Sequence, residues 1–508
     1  MYSDAHSDVR NYAQYGGVPV EHRDFHRLFL PYRQFQIAAR RVPDKTALVS
    51  PAGEQYSFKE LDELIRKLAS GMKNLGVQPG EAVCARVGNH WMQLPWFLAL
   101  MRIGAIFMSI SKYLTAIEAD YQLGQSRPRL TIGAGGISFD EVIAAAGDEP
   151  LAPHADEWAA SHIRFSSGTT GKPKMMLVVQ RANAANAKVI EDVMQIDEED
   201  RHLLVGPLSH AGLHYALPTL NVGGTVFMKE AFDKETFWAD CRKHGITSSM
   251  VVPTMVTTAL GYEGDAPTLR KLVSLGASLA PSVKQRLLAR FPQLELYELY
   301  GSSEGGSCTW LLPKDQLRKP ASCGRPYGGQ EILVADDAGD PLPVDVPGTV
   351  YVRGPMAVSA YVGEVPPPVL PEKLRNEGWI TAGDVGFIDA EGDLTIVDRR
   401  VDLILSGGLN VYPAEVEAVL QAADGVTEVA VIGMPDERWG QIVTGFYVGT
   451  ATQEALLDAC RKSLAAYKVP RALFRLEKLL HTSSGKISRK LIREAALAGE
   501  IAALNSLT

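Results

Sequence analysis

The chain alternates short apolar runs with amphipathic segments, and this alternation limits the folds open to it. Residues 57–60 read Ser-Phe-Lys-Glu, a capping box in which the serine hydroxyl and the glutamate carboxylate satisfy free amides at a helix start. Apolar residues then recur every three or four positions until Gly76, which predicts one amphipathic helix. Apolar runs at 82–88 and 105–110 flank a helical stretch at 94–102. Strands and helices in alternation predict an α/β fold with a mostly parallel sheet covered by helices.

The pattern of predicted strands, helices and turns changes along the sequence, and these changes predict domain boundaries. The strand–helix rhythm returns between residues 203 and 275 without a fixed repeat length. From about Ser322, short strands separated by Gly and Pro turns predict a small β-rich subdomain. After residue 400 a compact α+β pattern follows, with a helix beginning at Pro413 and strands at 429–433 and 445–449. We therefore predict a large N-terminal domain of stacked, mostly parallel sheets over residues 1–400 and a small α+β domain over residues 401–508.

Composition argues against several classes of protein. With 51 Lys and Arg against 59 Asp and Glu, the net charge is −8 and no basic block is present, which argues against binding of a nucleic-acid polymer. The five cysteines lie far apart without a Cys-x-x-Cys pair, so no zinc site is indicated and a cytoplasmic location is expected. The most apolar stretch, residues 96–110, contains Arg102 and is shorter than the ~20 residues of a membrane span. The polar start of the chain does not resemble a signal peptide.

Residues 165–174, Phe-Ser-Ser-Gly-Thr-Thr-Gly-Lys-Pro-Lys, form a polar segment between two apolar runs. Glycines permit tight bends, while hydroxyls, amides and two lysines offer donors and positive charge to a polyphosphate. The segment is not a Walker loop, because two residues rather than four separate Gly168 from Gly171 and Pro173 follows the lysine. From composition alone, a mobile surface turn is an equally good interpretation.

The same segment resembles the signature loop of the adenylate-forming superfamily, which includes acyl-CoA synthetases, luciferases and the adenylation domains of peptide synthetases. Five further motifs of that superfamily follow in the expected order over most of the chain. They are Tyr300-Gly301-Ser302-Ser303-Glu304, the segments at 378–384, 398–402 and 406–413, and Ser-Ser-Gly-Lys at 483–486. A single motif match is weak evidence for membership of a family, whereas several motifs in the expected order are specific evidence. The resemblance implies the fold of the AMP-forming acyl-CoA synthetases, with a C-terminal domain that moves during catalysis.

The resemblance assigns the nucleotide and its metal ion to residues of these motifs. ATP or AMP would be held by Ser166, Ser167, Gly168, Thr169, Thr170, Gly171, Lys174, Gly276, Ala277, Ser278, Tyr300, Gly301, Ser303, Asp384 and Arg399. Asp384 would accept hydrogen bonds from the ribose, Arg399 would contact the same sugar, and Tyr300 would stack on adenine. Glu304 would bind Mg²⁺, which prefers hard oxygen ligands. Taken alone, Asp384 is more simply a turn residue, Arg399 half of a salt bridge and Glu304 a surface acid.

The resemblance also implies the first step of a reaction. A carboxylic acid would attack the α-phosphorus of ATP, giving an acyl-adenylate and pyrophosphate, and cations must neutralise the charge that develops on the phosphate oxygens. The catalytic residues implied are Lys486, Glu304 and Thr170. Lys486 would bridge the carboxylate and the α-phosphate. A lysine near the end of a chain is otherwise usually solvated.

Coenzyme A is assigned to the C-terminal domain. After adenylation this domain would turn, so that Gly407 and Gly408 replace Lys486 and the thiol reaches the adenylate. Trp439 and Lys468 resemble segments that are common among coenzyme A ligases. A packed tryptophan and a solvated lysine are equally good interpretations of these two residues.

The acyl pocket is predicted only by position. It would be formed by His210, Tyr215, Pro253, Gly276, Gly305 and Gly306. Glycines beside apolar residues leave room for an aromatic or medium-chain acid. The absence of Arg and Lys from these segments disfavours a second carboxylate on the substrate. His210 resembles a gate residue of the superfamily, although a lone histidine is more often structural.

Three segments depart from the superfamily pattern. Met175-Met176 stand where glycine is usual, Val401 stands at the position of a charged hinge residue, and His481-Thr482 precede the lysine loop in place of Pro-Arg or Pro-Lys. None of these changes removes a group that performs chemistry, but the last can alter how Lys486 is presented.

We therefore expect an ATP- and Mg²⁺-dependent ligase that joins a small carboxylic acid to coenzyme A, releasing AMP and pyrophosphate. A homodimer is compatible with this expectation. One alternative is an adenylating enzyme that delivers the acyl group to a separate carrier protein. Another is a nucleotide-binding regulatory relative without catalysis, against which Glu304, Asp384, Arg399 and Lys486 count.

Overall fold

The computed structural model describes residues 30–110, 114, 116–165, 173–206, 208, 212–363, 369–399, 402, 404–406, 409–436, 439–482 and 486–499. Its strands are β1 (Thr46–Val49), β2 (Gln55–Ser57), β3 (Ala82–Arg86), β4 (Ile106–Ser109), β5 (Leu130–Gly133), β6 (Ala160–Phe165), β7 (Met175–Val179), β8 (Arg201–Leu204), β9 (Thr225–Met228), β10 (Ser248–Val251), β11 (Lys271–Leu275), β12 (Glu295–Ser302), β13 (Gly306–Leu311), β14 (Arg325–Pro326), β15 (Glu331–Ala335), β16 (Gly348–Arg353), β17 (Ala360–Val362), β18 (Asp384–Ile388), β19 (Leu394–Arg399), β20 (Ile404–Ser406), β21 (Leu409–Val411), β22 (Val426–Asp436), β23 (Gly440–Gly449) and β24 (Ala472–Arg475).

Its helices are α1 (Pro31–Arg41), α2 (Phe58–Asn74), α3 (Gln93–Ile103), α4 (Ala116–Ser126), α5 (Phe139–Ala144), α6 (Gln180–Met194), α7 (Gly212–Asn221), α8 (Phe237–Lys243), α9 (Pro253–Ala259), α10 (Pro281–Arg290), α11 (Glu372–Asn376), α12 (Pro413–Gln421), α13 (Gln453–Ser463) and α14 (Arg489–Leu497). Short 3₁₀ turns lie at Pro313–Asp315 and Ala466–Lys468.

The first sheet has nine strands in the described part of the chain, in the order β14-β13-β12-β11-β10-β8-β9-β1-β2. The strands from β12 to β1 pair in parallel, and the pairs at both edges are antiparallel. Neighbouring residues of β11, Leu272 and Val273, enter different apolar clusters. A sheet buried on both faces is the usual setting for parallel strands.

The second sheet has the order β17-β7-β6-β4-β3-β5 and pairs in parallel from β5 to β6. Helix α3 is buried along its whole length, and one apolar cluster joins it to strands of both sheets. Trp96 and Phe97 of α3 pack edge-on against Phe107 of β4. The charge of Arg102 is accommodated there, because its guanidinium donates to the Tyr32 hydroxyl and to the Leu151 carbonyl.

The remaining strands form two smaller sheets. A third, antiparallel sheet has the order β15-β16-β18-β19. The fourth contains β20 to β24: the order is β21-β20-β23-β22, β22 and β23 form a long antiparallel hairpin, and β24 pairs in parallel with β23. We call the described residues 30–399 the large lobe and 402–499 the small lobe. The predicted fold class is confirmed, whereas a boundary at residue 400 stays a prediction.

Local predictions were correct where a sequence signal was strong. Ser57 Oγ accepts from Glu60 N at 3.2 Å, and Ser57 N donates to the Glu60 carboxylate at 2.8 Å, so the capping box opens α2 as predicted. Strands predicted at 429–433 and 445–449 are longer, because β22 and β23 pair along most of their length, including polar ends. Strand β24 was not predicted. No helix among the described residues is long and apolar enough to cross a membrane.

Candidate active site

The site lies at the carboxyl ends of β10, β11 and β12. These three strands are adjacent and parallel in the first sheet, and ligands of open α/β sheets bind at this edge. Gly276 follows β11 with φ +93°, and a Cβ placed on it would lie 3.8 Å from Val252, which follows β10. Pro253, predicted for the acyl pocket, is the first residue of α9 and directly follows Val252. Two predicted acyl-pocket segments are therefore brought together.

Tyr300 and Asp384 form a buried pair between β12 and β18. The Tyr300 hydroxyl donates to Asp384 Oδ2 at 2.7 Å, and only 4% of Asp384 is exposed. Burial, and secondly the charge of Asp384, raise the pKa of Tyr300 well above its usual range. The phenol therefore stays a donor and the carboxylate an acceptor. The two residues assigned to adenine and ribose therefore lie in contact, while their roles stay predictions.

The backbone of Arg399 lies beside the backbone of Asp384. Residues Asp384 and Arg399 are direct partners in the antiparallel β18–β19 register. The turn before β18 is fixed because Gly383 N donates to Thr381 Oγ1 at 3.0 Å. The strand pairing thus places both residues predicted to contact the ribose at one position of the third sheet.

Glu304 lies in the tight turn that connects β12 to β13. Its carbonyl accepts from Val358 N at 2.7 Å, and Gly305 N donates to Ser302 Oγ at 2.8 Å. A Cβ on Gly306, which has φ +69°, would lie 2.7 Å from the Met356 carbonyl oxygen, so glycine is required there. The carboxylate predicted to bind Mg²⁺ is consequently held in a fixed and largely buried turn.

The same turn packs on a thiol. A Cβ on Gly305 would lie 2.6 Å from Cys308 Sγ. Burial raises the pKa of the Cys308 thiol to about 12. Burial likewise raises the pKa of Cys84, Cys241 and Cys323 to about 12. None of the five cysteines forms a disulfide.

Lys486 reaches this site from the small lobe. A Cβ on Gly276 would lie 2.8 Å from Lys486 Cε and 3.3 Å from Nζ. The ammonium thus lies at the carboxyl end of β11, although Lys486 belongs to the small lobe. Lys486 thus lies beside Gly276, one of the residues assigned to the nucleotide, while its role in adenylation stays a prediction. Most of the polar segment at 165–174 lies outside the described residues.

A partly buried arginine that interacts electrostatically with Glu304 was missed in the sequence analysis. Arg164 is near the end of β6, and its guanidinium donates to His214 Nε2 at 2.8 Å. Burial lowers the pKa of Arg164 to about 10, and Glu304 acts in the opposite direction. Burial, and secondly Arg164, hold the pKa of His214 well below its usual value. His214 is therefore neutral, with Nε2 as acceptor and the proton on Nδ1.

Tyr215 was predicted for the acyl pocket and lies on α7, next to His214. It is 2% exposed and packs in one apolar cluster with Met250, Val273 and Tyr297 of the first sheet. Its hydroxyl has no hydrogen-bond partner in the described part of the chain. Tyr215 thus packs between α7 and the first sheet. The candidate site lies at the strand ends of that sheet.

Other predicted residues can be located only in part. Ala277 and Ser278 are exposed and follow Gly276, while Gly301 and Ser303 flank the end of β12. Lys174 lies just before β7. Met175 and Met176 open β7 and are buried, so this departure from the superfamily belongs to the sheet core. Several residues for which a role was predicted lie outside the described residues: Ser166, Ser167, Gly168, Thr169, Thr170, Gly171, His210, Val401, Gly407 and Gly408.

The residues assigned to coenzyme A have partners within the small lobe. Lys468 Nζ donates to Glu415 at 2.5 Å, and this hydrogen bond raises the pKa of Lys468. The Arg471 guanidinium lies 4.4 Å from the centre of the Trp439 ring. These contacts fix both side chains and do not test a role in binding coenzyme A.

Comparisons with known proteins agree with this geometry. The family of AMP-binding enzymes matches residues 35–362, and the C-terminal domain of AMP-binding enzymes matches residues 415–486. The 2-succinylbenzoate–CoA ligase of Listeria monocytogenes is 31% identical over 90% of this chain and 98% of its own. The feruloyl-CoA synthase of an Amycolatopsis species is 31% identical over 90% of this chain and 96% of its own.

A solved structure shows the same architecture. The o-succinylbenzoate CoA synthetase of Bacillus subtilis, in complex with its acyl-adenylate intermediate, superposes with a TM-score of 0.82 at 26% identity, covering 91% of this chain and 97% of that one. The same enzyme with ATP and magnesium gives 0.81 at 25% identity, with 91% and 98% covered. Two family models, relatives matched along most of their length, and shared architecture lead to one conclusion: the chain belongs to the family of AMP-binding enzymes.

Proposed function

We propose that the protein is an ATP-dependent acid–coenzyme A ligase that works through an acyl-adenylate. The observation that carries this proposal is the position of Lys486 Nζ beside Gly276, at the strand ends that also hold the Tyr300–Asp384 pair. A cation from one lobe next to nucleotide-binding groups of the other is the arrangement that adenylation needs, because negative charge develops where the carboxylate meets the α-phosphate.

Each side chain of the large lobe has a separate task in this proposal. Asp384, held by Tyr300, accepts from the ribose hydroxyls and so fixes the sugar. Glu304 stands in a rigid turn at the end of β12 and faces the charge of Arg164. Fixed groups of this kind need no reorganisation during the reaction, which is the basis of electrostatic preorganisation.

Glu304 fits a magnesium ion that is shared with the substrate. No three His, Cys, Asp or Glu side chains in the described ranges lie close enough to hold a metal ion alone. Mg²⁺ in nucleotide enzymes is commonly held by one or two carboxylates together with phosphate oxygens. When bound, the ion would neutralise phosphate charge, and Glu304 would be its ligand from this chain.

The proposed substrate is an aromatic carboxylic acid. The relatives are named for 2-succinylbenzoate and ferulate, which are aromatic acids. Tyr215, Met250 and Tyr297 supply an apolar surface behind the strand ends. Both relatives are coenzyme A ligases by name, which favours coenzyme A over a carrier protein as the acceptor. We also propose that the small lobe turns between the two steps, because Lys486 occupies the approach to Gly276.

A panel of acids tests the proposal. Each acid is incubated with Mg·ATP, with and without coenzyme A, and pyrophosphate, AMP and thioester are measured. We expect thioester and AMP in equal amounts with at least one aromatic acid. Adenylate that accumulates without transfer to coenzyme A would favour a carrier-protein acceptor. Nucleotide binding without product from any acid would contradict the proposal.

A further inference from the structure

Lys486 is presented by a short hairpin of the small lobe. His481 and Ile487 form an antiparallel bridge, and Thr482 N donates to the Lys486 carbonyl at 2.6 Å. Lys486 N donates in turn to Thr482 Oγ1 at 3.3 Å, and Ser488 N donates to the Leu480 carbonyl at 2.8 Å. The position of the Lys486 backbone therefore depends on the segment that precedes the lysine, and this segment contains His481.

His481 attaches this hairpin to the sheet of the small lobe. Its Nδ1 lies 2.9 Å from the Leu479 carbonyl oxygen, and its Nε2 lies 3.0 Å from Glu428 Oε1 on β22. Both partners can only accept, provided that Glu428 is ionised. A neutral imidazole has one N–H and can satisfy one of them, whereas an imidazolium satisfies both. The two contacts thus fit the protonated ring.

Glu428 provides the negative charge that faces the His481 ring. On β23, the residue paired with Glu428 is Val448, which is apolar. On α14, Arg489 is engaged by Glu417 and Asp402 at 2.6 to 2.9 Å, and Lys490 lies 3.9 Å from Glu494. In the turn after β24, the charged residues before His481 are Glu477 and Lys478.

The interaction is partly shielded from water. The His481 side chain is 31% exposed and that of Glu428 is 23% exposed, so bulk solvent screens their attraction incompletely. The hydrogen bond to Glu428, reinforced by its charge and opposed by burial, raises the pKa of His481 above its usual value of 6.5. The imidazolium is accordingly present below that range and is lost as the pH rises through the raised pKa.

We infer that His481 is a positioning residue for Lys486: its protonated ring ties the lysine hairpin to Glu428 of β22 and so keeps the ammonium beside Gly276. When the ring loses its proton, one of its two nitrogens becomes an acceptor that faces an acceptor oxygen, so the tie loses its positive charge and one of its two hydrogen bonds. The inference rests on the proposed role of Lys486 in adenylation. It gives the enzyme a first step that weakens at alkaline pH, without such an effect on transfer to coenzyme A.

The test is a pH profile of adenylation alone, followed as acid-dependent exchange of pyrophosphate into ATP from about pH 6 to about pH 9. We expect the rate to fall about three- to tenfold across the basic part of this range, as for the net contribution of one ordinary hydrogen bond. Because His481→Gln retains Lys486, comparison with that variant shows whether the fall belongs to His481 or to the lysine itself.

Two variants separate positioning from mere stability. In Glu428→Gln the ring loses its negative partner, so the fall should move to lower pH. In His481→Gln the amide can donate to Glu428 at every pH, so the fall should disappear. Asp458→Asn, which removes an equal charge from an exposed pair with Arg461, should leave the profile unchanged. A fall that persists unaltered in His481→Gln, or stays in place in Glu428→Gln, would overturn the inference.

Lys486→Ala separates this inference from the function on which it rests. If Lys486→Ala retains adenylation, the proposed role of the lysine fails whatever His481 does. If that variant loses adenylation while His481→Gln and Glu428→Gln keep the wild-type profile, only the positioning role fails. Transfer from a supplied acyl-adenylate to coenzyme A should show the same pH dependence in His481→Gln and wild type.

Discussion

The two sides of the site are held in different ways. On the large lobe, Tyr300 and Asp384 are joined at 2.7 Å and largely buried, and Glu304 lies in a turn that tolerates no added Cβ at Gly306. On the small lobe, Lys486 is exposed, and in the described part of its hairpin Thr482 pairs with Lys486 and Leu480 with Ser488. The difference indicates that the side assigned to the nucleotide is preorganised, whereas the lysine proposed for catalysis can be withdrawn. An enzyme with two steps at one site needs both properties.

Removal of the Lys486 side chain is expected to have the largest effect and tests the difference between the two lobes most directly. Lys486→Ala should lower the rate of adenylation by about 10²–10³, because one preorganised donor is lost from the charge that develops. Thioester formation from a supplied acyl-adenylate should be spared. Lys490→Ala, which removes an exposed lysine four positions away, is the matched control and should change neither step. Equal loss of both steps in Lys486→Ala would contradict a role confined to adenylation.

On the large lobe, Tyr300→Phe tests whether the nucleotide side is rigid. The substitution leaves the Asp384 carboxylate buried without its phenol donor, so the free energy of unfolding should fall by about 2 kcal/mol in urea titrations. The KM for ATP should rise as well. Tyr56→Phe is the control, since the Tyr56 hydroxyl makes a long contact of 3.5 Å to Glu54. A cost for Tyr300→Phe no greater than that for Tyr56→Phe would show that the pair contributes little.

Gly276→Ala tests the contact between the lobes. The new Cβ would meet the flexible end of Lys486, so adenylation should fall about tenfold, about 1.4 kcal/mol in barrier, with transfer to coenzyme A affected less. Gly53→Ala is the matched control, because Gly53 has φ +89° and no atom within 4 Å of an added Cβ. Both variants share the backbone strain, and only Gly276→Ala should lose activity. Equal activity in the two would remove Lys486 from this position.

The smallest effect is expected at Lys468. Its pair with Glu415 is partly exposed, with side chains 23% and 25% accessible, so Lys468→Ala should cost less than about 1 kcal/mol of stability. Arg461→Ala, which breaks the exposed pair with Asp458, provides a comparison. A selective rise in the KM for coenzyme A would place Lys468 on that substrate. An unchanged KM would leave the lysine with a structural role only.

The fold could be predicted because its signals are local. The alternation of apolar runs with helical periodicity led to parallel sheets, and the capping box at Ser57 marked the start of α2. The extent of the β22–β23 hairpin could not be predicted in this way, since pairing between strands stabilises polar ends that carry no alternation. Strand β24 was missed for a related reason, because its register is set by a neighbour distant in the sequence.

Prediction of the site was uneven for a physical reason. Residues in motifs, such as Tyr300, Asp384 and Lys486, could be named in advance, and the structure brings Tyr300 to Asp384 and Lys486 to Gly276. Arg164 and His214 were missed, because one ends an apolar run and the other lies in an apolar helix. Nothing in a linear sequence shows that a strand end and a helix start meet beside Glu304.

The burial of the cysteines has a chemical consequence for an enzyme of this kind. A mixed anhydride with AMP acylates any good nucleophile, and thiolates react where thiols do not. Cys308 adjoins the turn that carries Glu304, yet its pKa of about 12 leaves almost no thiolate near neutral pH. Burial thereby makes the Cys308 thiol a poor acceptor for an activated acyl group, which favours a thiol supplied from outside.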